Sequence, residues 1–130
     1  MTNTSATVEQ LGEEQYLLVT TFRRDGTPVP TPVWAARDGE ALMVWTVGDS
    51  GKVKRIRRDG TITVGPCTVR GKATGEAVPA HATLLGPEGG VAVRELIKRK
   101  YGLRGRLFVW VSLRRRGADA TVGIRITLTP

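Results

Sequence analysis

Histidine and cysteine are almost missing from this chain. Its 130 residues hold one of each, His81 and Cys67. A single cysteine excludes an internal disulfide and any zinc site built on cysteines. A single histidine leaves no Ser/His triad and little for a metal. Cys67 has no base beside it and reads as a small buried hydrophobe. His81, in a strand of small residues, reads as a structural or surface residue. Paired carboxylates are missing too. The acids fall in turns (Asp25, Asp38, Asp59) and at helix starts (Asp49, Glu88). Aromatic residues make up only 5%, and no strand interleaves them with basic residues as a nucleic-acid stacking platform needs. No apolar run approaches a membrane span, and Met1 to Gln10 is polar with no signal-peptide core. The expectation is a cytoplasmic protein with no membrane partner. There is no internal repeat and no linker, so 1–130 reads as one domain, with 1–7 a disordered tail. No residue presents itself as a catalytic acid, base or nucleophile, and none as a metal ligand. Such a chain can still be an enzyme when a cofactor brings the reactive atoms.

Positive charge is abundant. Lys and Arg number 20 against 12 Asp and Glu, a net charge of +8. That excess predicts an anionic partner: nucleic acid, a phosphorylated cofactor or a membrane surface. It is concentrated after an apolar run, Ala41 to Val47, that ends in Gly48. Asp49 or Ser50 can cap a helix there. Val53 and Ile56, three apart, give that helix a narrow apolar stripe. The other side chains from Lys52 to Arg58 are cationic. Lys52 and Lys54 fall in the first turn, where the helix end is already positive, a costly placement unless an anion sits there. The N–H groups after Ser50, its hydroxyl, and the heads of Lys52 and Arg55 can together hold a phosphate. The alternative is a solvated basic face.

Around this helix the pattern is that of short strands. Tyr16 to Phe22 is rich in β-branched and aromatic residues. Asp25-Gly26 and Asp38-Gly39 mark tight turns on either side of a return strand, Val29 to Ala36, with Ala41 to Val47 as the third strand of a meander. Pro28, Pro30 and Pro32 make the return strand an edge for part of its length. Thr61 to Val64 is a fourth strand, interrupted by Gly65-Pro66, and Arg70-Gly71-Lys72 is a turn. Gly75 to Leu85 is a fifth strand. Pro87-Glu88 opens a helix whose Val93, Leu96, Ile97 and Tyr101 share a face and whose C′ residue is Gly102. Leu107 to Val111 reads as a sixth strand and Arg114 to Gly117 as a loop. Thr121 to Leu128 alternates strictly and is the last strand. Trp45 and Trp110, mid-strand among apolar residues, read as core, and Trp34 as facing a ligand or a second subunit. The fold class is mainly β: a small antiparallel barrel with two or three short helices over its ends and edges.

Several segments resemble, in order, the split β-barrel oxidoreductases related to pyridoxamine 5′-phosphate oxidase. They are Leu17 to Arg23, Gly26 to Val29, Thr31 to Trp34, Trp45-Thr46, Ser50 to Arg57 and Gly65 to Cys67. The resemblance covers about Leu11 to Leu128 and is strongest to the branch that binds the deazaflavin coenzyme F420, found mainly in actinobacteria. It implies a split antiparallel β-barrel of the flavin mononucleotide-binding type. It implies that Pro32, Val33 and Trp34 run beneath the cofactor ring and meet it through backbone groups. It implies that Thr46, Ser50, Gly51 and Lys52 hold the phosphate, with Lys54 and Arg55 beside them. It also implies a homodimer with two cofactor sites at the interface. The cationic surplus suits F420, which carries a lactate and a polyglutamate tail beyond its phosphate, better than flavin mononucleotide. The expected activity is hydride transfer between reduced F420 and a small organic substrate. The alternatives are a flavin mononucleotide protein of the same fold, a cofactor carrier without turnover, and, least favoured, a basic nucleic-acid-binding barrel.

Overall fold

The computed structural model describes residues 4–47, 50–116 and 121–129. Helix α1 (Thr4–Glu13) is followed by strands β1 (Leu17–Phe22), β2 (Pro28–Val33), β3 (Ala35–Asp38) and β4 (Ala41–Val47), then helix α2 (Gly51–Arg58). Strands β5 (Thr61–Pro66) and β6 (Val78–Leu84), helix α3 (Pro87–Arg116) and strand β7 (Thr121–Leu128) complete the order. Helix α1 takes in residues 4–7, which the sequence reading leaves as tail; residues 1–3 lie outside the described residues.

One seven-stranded sheet, antiparallel throughout, runs in the order β2-β1-β5-β6-β7-β4-β3. The two edge strands are β2 and β3, consecutive in the chain with Trp34 alone between them. Val33 and Ala35 are two residues apart and so lie within about 7 Å of each other. A sheet whose opposite edges are tied by one residue has to curl round on itself. The expected meander is therefore corrected. The single return strand is two strands, β2 paired back to β1 and β3 paired forward to β4, at opposite edges. The prolines explain the break in pairing: Pro28, Pro30 and Pro32 sit on an edge that needs no donors outward. The expected interruption at Gly65-Pro66 is also absent, because β5 runs through Pro66 opposite Leu17.

Two cores result. Inside the curl, Leu17, Val19, Leu42, Val44, Ile62, Val64, Ile124 and Ile126 meet, with Val8 and Leu11 of α1 and Ile56 of α2 packed in. On the outer face, Met43 and Trp45 of β4 pack on Val93, Ile97, Tyr101 and Val109 of α3. The alternation of β4 divides its residues between these two cores.

The expected strand at Leu107 to Val111 is helix. Helix α3 turns sharply at Gly102 (φ 63°, ψ −135°), giving one arm over 87–101 and a second over 103–116. Tyr101, Gly105 and Val109 are buried at four-residue spacing, a helical period that a five-residue apolar run conceals. Gly105 allows the arms to touch: a Cβ there would lie 2.8 Å from the Ile97 carbonyl oxygen. The second arm also absorbs Arg114, Arg115 and Arg116, expected as loop. Trp110, a rotation of about 100° past the buried Val109, is 56% exposed rather than core, whereas Trp45 is buried as expected.

Candidate functional site

Helix α2 begins as its sequence predicts. Ser50 is the N-cap, in extended conformation, and its Oγ accepts the Val53 N–H at 3.3 Å. The alternative cap, Asp49, lies outside the described residues. The N–H groups of Gly51 and Lys52 have no acceptor within the helix. Val53 and Ile56 are buried on its apolar stripe, and so is Lys52, only 8% exposed. Burial pushes the Lys52 ammonium below its usual range, and the like charge of Arg55 lowers it further. Ion pairs among the described residues include Arg37–Glu9 and Lys98–Glu95, and neither involves this helix.

Arg55 is held from below. Its Nε donates to the buried Thr21 hydroxyl on β1 at 2.6 Å. Its guanidinium leans back over the start of the helix, where Gly51 leaves room: a Cβ there would lie 2.8 Å from Arg55 Nη1. A cation over the positive end of a helix, close enough to a buried ammonium to repel it, is electrostatically unfavourable until an anion joins them. Beside it is a cleft of about 290 Å³ lined by Arg23, Arg24, Lys54, Arg55 and Arg58. Arg23 and Arg24 come from the β1–β2 turn, shaped by Gly26 (φ 90°), and Arg58 is fixed by donating to the Phe22 carbonyl. Among the described residues, two acids of the adjoining turns are engaged by their own loops. Asp25 accepts the Thr27 N–H and Asp59 the Thr61 N–H; the Thr27 side chain and then its N–H lower the first carboxyl, and the Thr61 N–H and then its side chain the second.

The remaining predicted residues lie apart from this cluster. Pro32 and Val33 are on the edge strand β2. Trp34, at the seam, is half-buried and stacks on Tyr101, with Phe108 tilted against it at 5.1 Å. Thr46 lines a second cleft, also about 290 Å³, with Trp45, Phe108 and Arg115 among its walls. The structure thus gathers Ser50, Gly51, Lys52, Lys54 and Arg55 at one helix end. It sets Thr46 in a neighbouring cleft and places Pro32 to Trp34 at the sheet seam. Arg58, expected only as part of the helix's cationic surplus, joins the cleft, and Arg23, Arg24 and Phe108 escaped the sequence reading. The two turn arginines were hidden as ordinary turn residues, and Phe108 by its reading as strand. Cys67 is buried, which raises its thiol and keeps it neutral, and His81 is exposed. Among the described residues no group of His, Cys, Asp and Glu is suited to a metal, and no helix is long and apolar enough to cross a membrane.

No family model matches the chain, and no curated protein matches it. Solved structures do. A candidate pyridoxamine 5′-phosphate oxidase from Listeria innocua superposes with a TM-score of 0.64 at 15% identity, over 98% of this chain and 94% of that one. An F420 reductase gives 0.61 at 20% identity, over 94% and 93%. The fold is a split β-barrel. A heme storage protein from Vibrio cholerae is a further split barrel, with a TM-score of 0.67 at 9% identity over 99% of this chain and 92% of that one. Split barrels therefore host unrelated chemistries, and the function has to be argued from the residues of the site.

Proposed function

We propose that this split barrel binds the phosphate of a flavin-type cofactor at the start of α2, takes F420 in preference to flavin mononucleotide, and acts as an F420-dependent oxidoreductase on a small organic substrate. One observation carries the reading. Lys52 is buried in the first turn of a capped helix, within reach of the Arg55 charge, with no carboxylate paired to it among the described residues. That arrangement is costly without an anion and favourable with one. The free N–H groups of Gly51 and Lys52 would take phosphate oxygens, with Lys52 and Arg55 supplying charge-assisted bonds. Arg23, Arg24, Lys54 and Arg58 exceed what one phosphate needs, and a longer anionic tail would occupy their cleft. Pro32, Val33 and Trp34 would present backbone groups to the ring, and Thr46 would close the site from β4. Reduced F420 supplies a hydride to an electron-poor carbon of the substrate. The protein's part is to bind, to orient and to exclude water; a proton would come from solvent or the cofactor, since the described residues offer no dedicated acid.

We also propose a homodimer that completes the site. Leu103, Leu107 and Trp110 form an exposed apolar stripe on the second arm of α3 that a second copy would cover. The test of the cofactor reading is paired calorimetry with F420 and flavin mononucleotide at low and moderate salt. F420 is expected to bind more tightly, with a gap that narrows as salt screens exposed charges over about 10 Å at 0.1 M. Tight flavin mononucleotide binding with none for F420 would replace F420 by the flavin. Binding to neither, with a salt-dependent shift of a nucleic-acid probe, would overturn the reading.

A further inference from the structure

The cleft that holds Thr46 shares no lining residue with the cationic cleft beside α2. Its apolar walls are Trp45 of β4 with Phe108 and Val111 of α3, and its polar lining includes Ser112 and Arg115. Trp45 and Phe108 meet edge to face, centroids 5.9 Å apart and planes at 86°. Such a corner offers a flat face and an aromatic edge to a planar guest. Arg115 is the one charged residue among the described lining residues, and no carboxylate opposes it there. The volume, about 290 Å³, sits at the low end for small-molecule pockets and is too small for a whole cofactor. Thr46 in this cleft precedes the Ser50 cap by four residues, a reach of at most about 14 Å, so a guest here would neighbour a cofactor held at α2.

We propose that this cleft binds planar aromatic or conjugated carboxylates, the ring against Trp45 and Phe108 and the carboxylate on the Arg115 guanidinium. As a substrate site it rests on the cofactor reading above; as a binding site it does not. A guanidinium takes a carboxylate through two parallel N–H···O bonds, which a neutral alcohol of the same shape cannot accept with the same strength.

Calorimetry of the full chain with cinnamate and cinnamyl alcohol as probes tests this. Cinnamate is expected to bind about tenfold more tightly than the alcohol, the difference a charge-assisted pair supplies. Arg115→Gln should remove that preference and leave the alcohol unchanged, and Phe108→Ala should weaken both probes. Arg115 is exposed, so its replacement should leave the melting temperature intact. Equal affinity for the two probes, a preference that survives Arg115→Gln, or one-for-one displacement of cinnamate by F420 would overturn the assignment. If the protein bound no F420 yet kept the Arg115-dependent preference, the cofactor reading would fall and this cleft would stand.

Discussion

Trp34 lies flat on Tyr101, ring centroids 4.1 Å apart and planes 5° from parallel. The Tyr101 hydroxyl reaches past it to donate to the Gln15 carbonyl at 2.8 Å and to accept the Ala35 N–H at 3.2 Å. Trp34 is the single residue between the two sheet edges, so Tyr101 holds the seam of the barrel from outside. Tyr101→Phe keeps the stacked ring and removes the hydroxyl, leaving the buried Ala35 N–H without that acceptor. Loss of such a partner costs about 1–3 kcal/mol. The urea midpoint should fall accordingly with the m-value unchanged. A midpoint equal to that of the parent would show that the seam is held by the ring alone.

The seam also marks where sequence reasoning runs out. β1, β4, β7 and α2 were legible because their signals are local: alternation, Asp-Gly turns and a Ser50 cap. The break at Trp34 was not, because the strand proper runs apolar through Val33 and Ala35, and only pairing with β1 on one side and β4 on the other separates them. Leu107 to Val111 misled for a related reason. Five apolar residues carry no period of their own, and Gly105, which lets the arm fold back on Ile97, has no side chain to register in a pattern. Lys52 and Lys54 were legible as charges at the wrong end of a helix; the Thr21 support beneath Arg55, 34 residues away in sequence, was not.

Lys52 gives a prediction with opposite signs for binding and stability. Lys52→Ala removes a charge-assisted phosphate contact worth about 2 kcal/mol, or roughly thirtyfold in cofactor affinity. Without cofactor the same change relieves a desolvated cation facing Arg55, so the melting temperature should hold or rise. Titration and thermal melts of the two proteins check both halves. Equal cofactor affinity would return α2 to a solvated basic face.

The depressed Lys52 ammonium also gives binding a pH dependence. An anion at the helix start favours the charged form, so the complex should take up protons as it forms. Affinity should therefore weaken as pH rises through a range below the ordinary lysine value of 10.5. Lys52→Arg, always charged, should flatten that dependence. Calorimetry in buffers of different ionisation enthalpy reads the proton uptake directly. No uptake at any pH up to the ordinary lysine value of 10.5 would place the anion elsewhere.

Lys100 provides a separate signal in stability. Its Nζ donates to the Glu14 and Ala35 carbonyls, and burial lowers its pKa to about 8. Between pH 8 and the unfolded value near 10.5, the unfolded chain binds more protons at this position than the folded one. Stability from this group therefore rises with pH across that window and is flat below it. Tyr101 acts in the other direction higher up. Burial raises it to about 12 from 10, so its contribution declines above pH 10. Urea unfolding from pH 7 to 10 should show the rise in the parent and lose it in Lys100→Met. A parent profile without the rise would mean that the ammonium is better hydrated than its two carbonyl partners suggest.

The second arm of α3 bears on assembly. Leu103 is 83% exposed, Leu107 61% and Trp110 56%. Their spacing of four and three places them on one stripe, opposite the buried Gly105 and Val109. Arg114 lies over the Trp110 ring at 5.1 Å and continues the stripe by one turn. A homodimer that covers this stripe should sediment at twice the 14.1 kDa of one chain. Leu107→Glu puts a carboxylate into the covered face and should return the protein to the mass of a single chain. The side chain is already largely exposed, so the melting temperature of the monomer should not suffer from the substitution itself. Cofactor affinity should fall in the same variant if the partner closes the site, and stay level if each subunit binds alone. A parent protein that remains at 14.1 kDa at micromolar concentration would remove the shared site, and a Leu107→Glu protein that stays dimeric would move the interface off this arm.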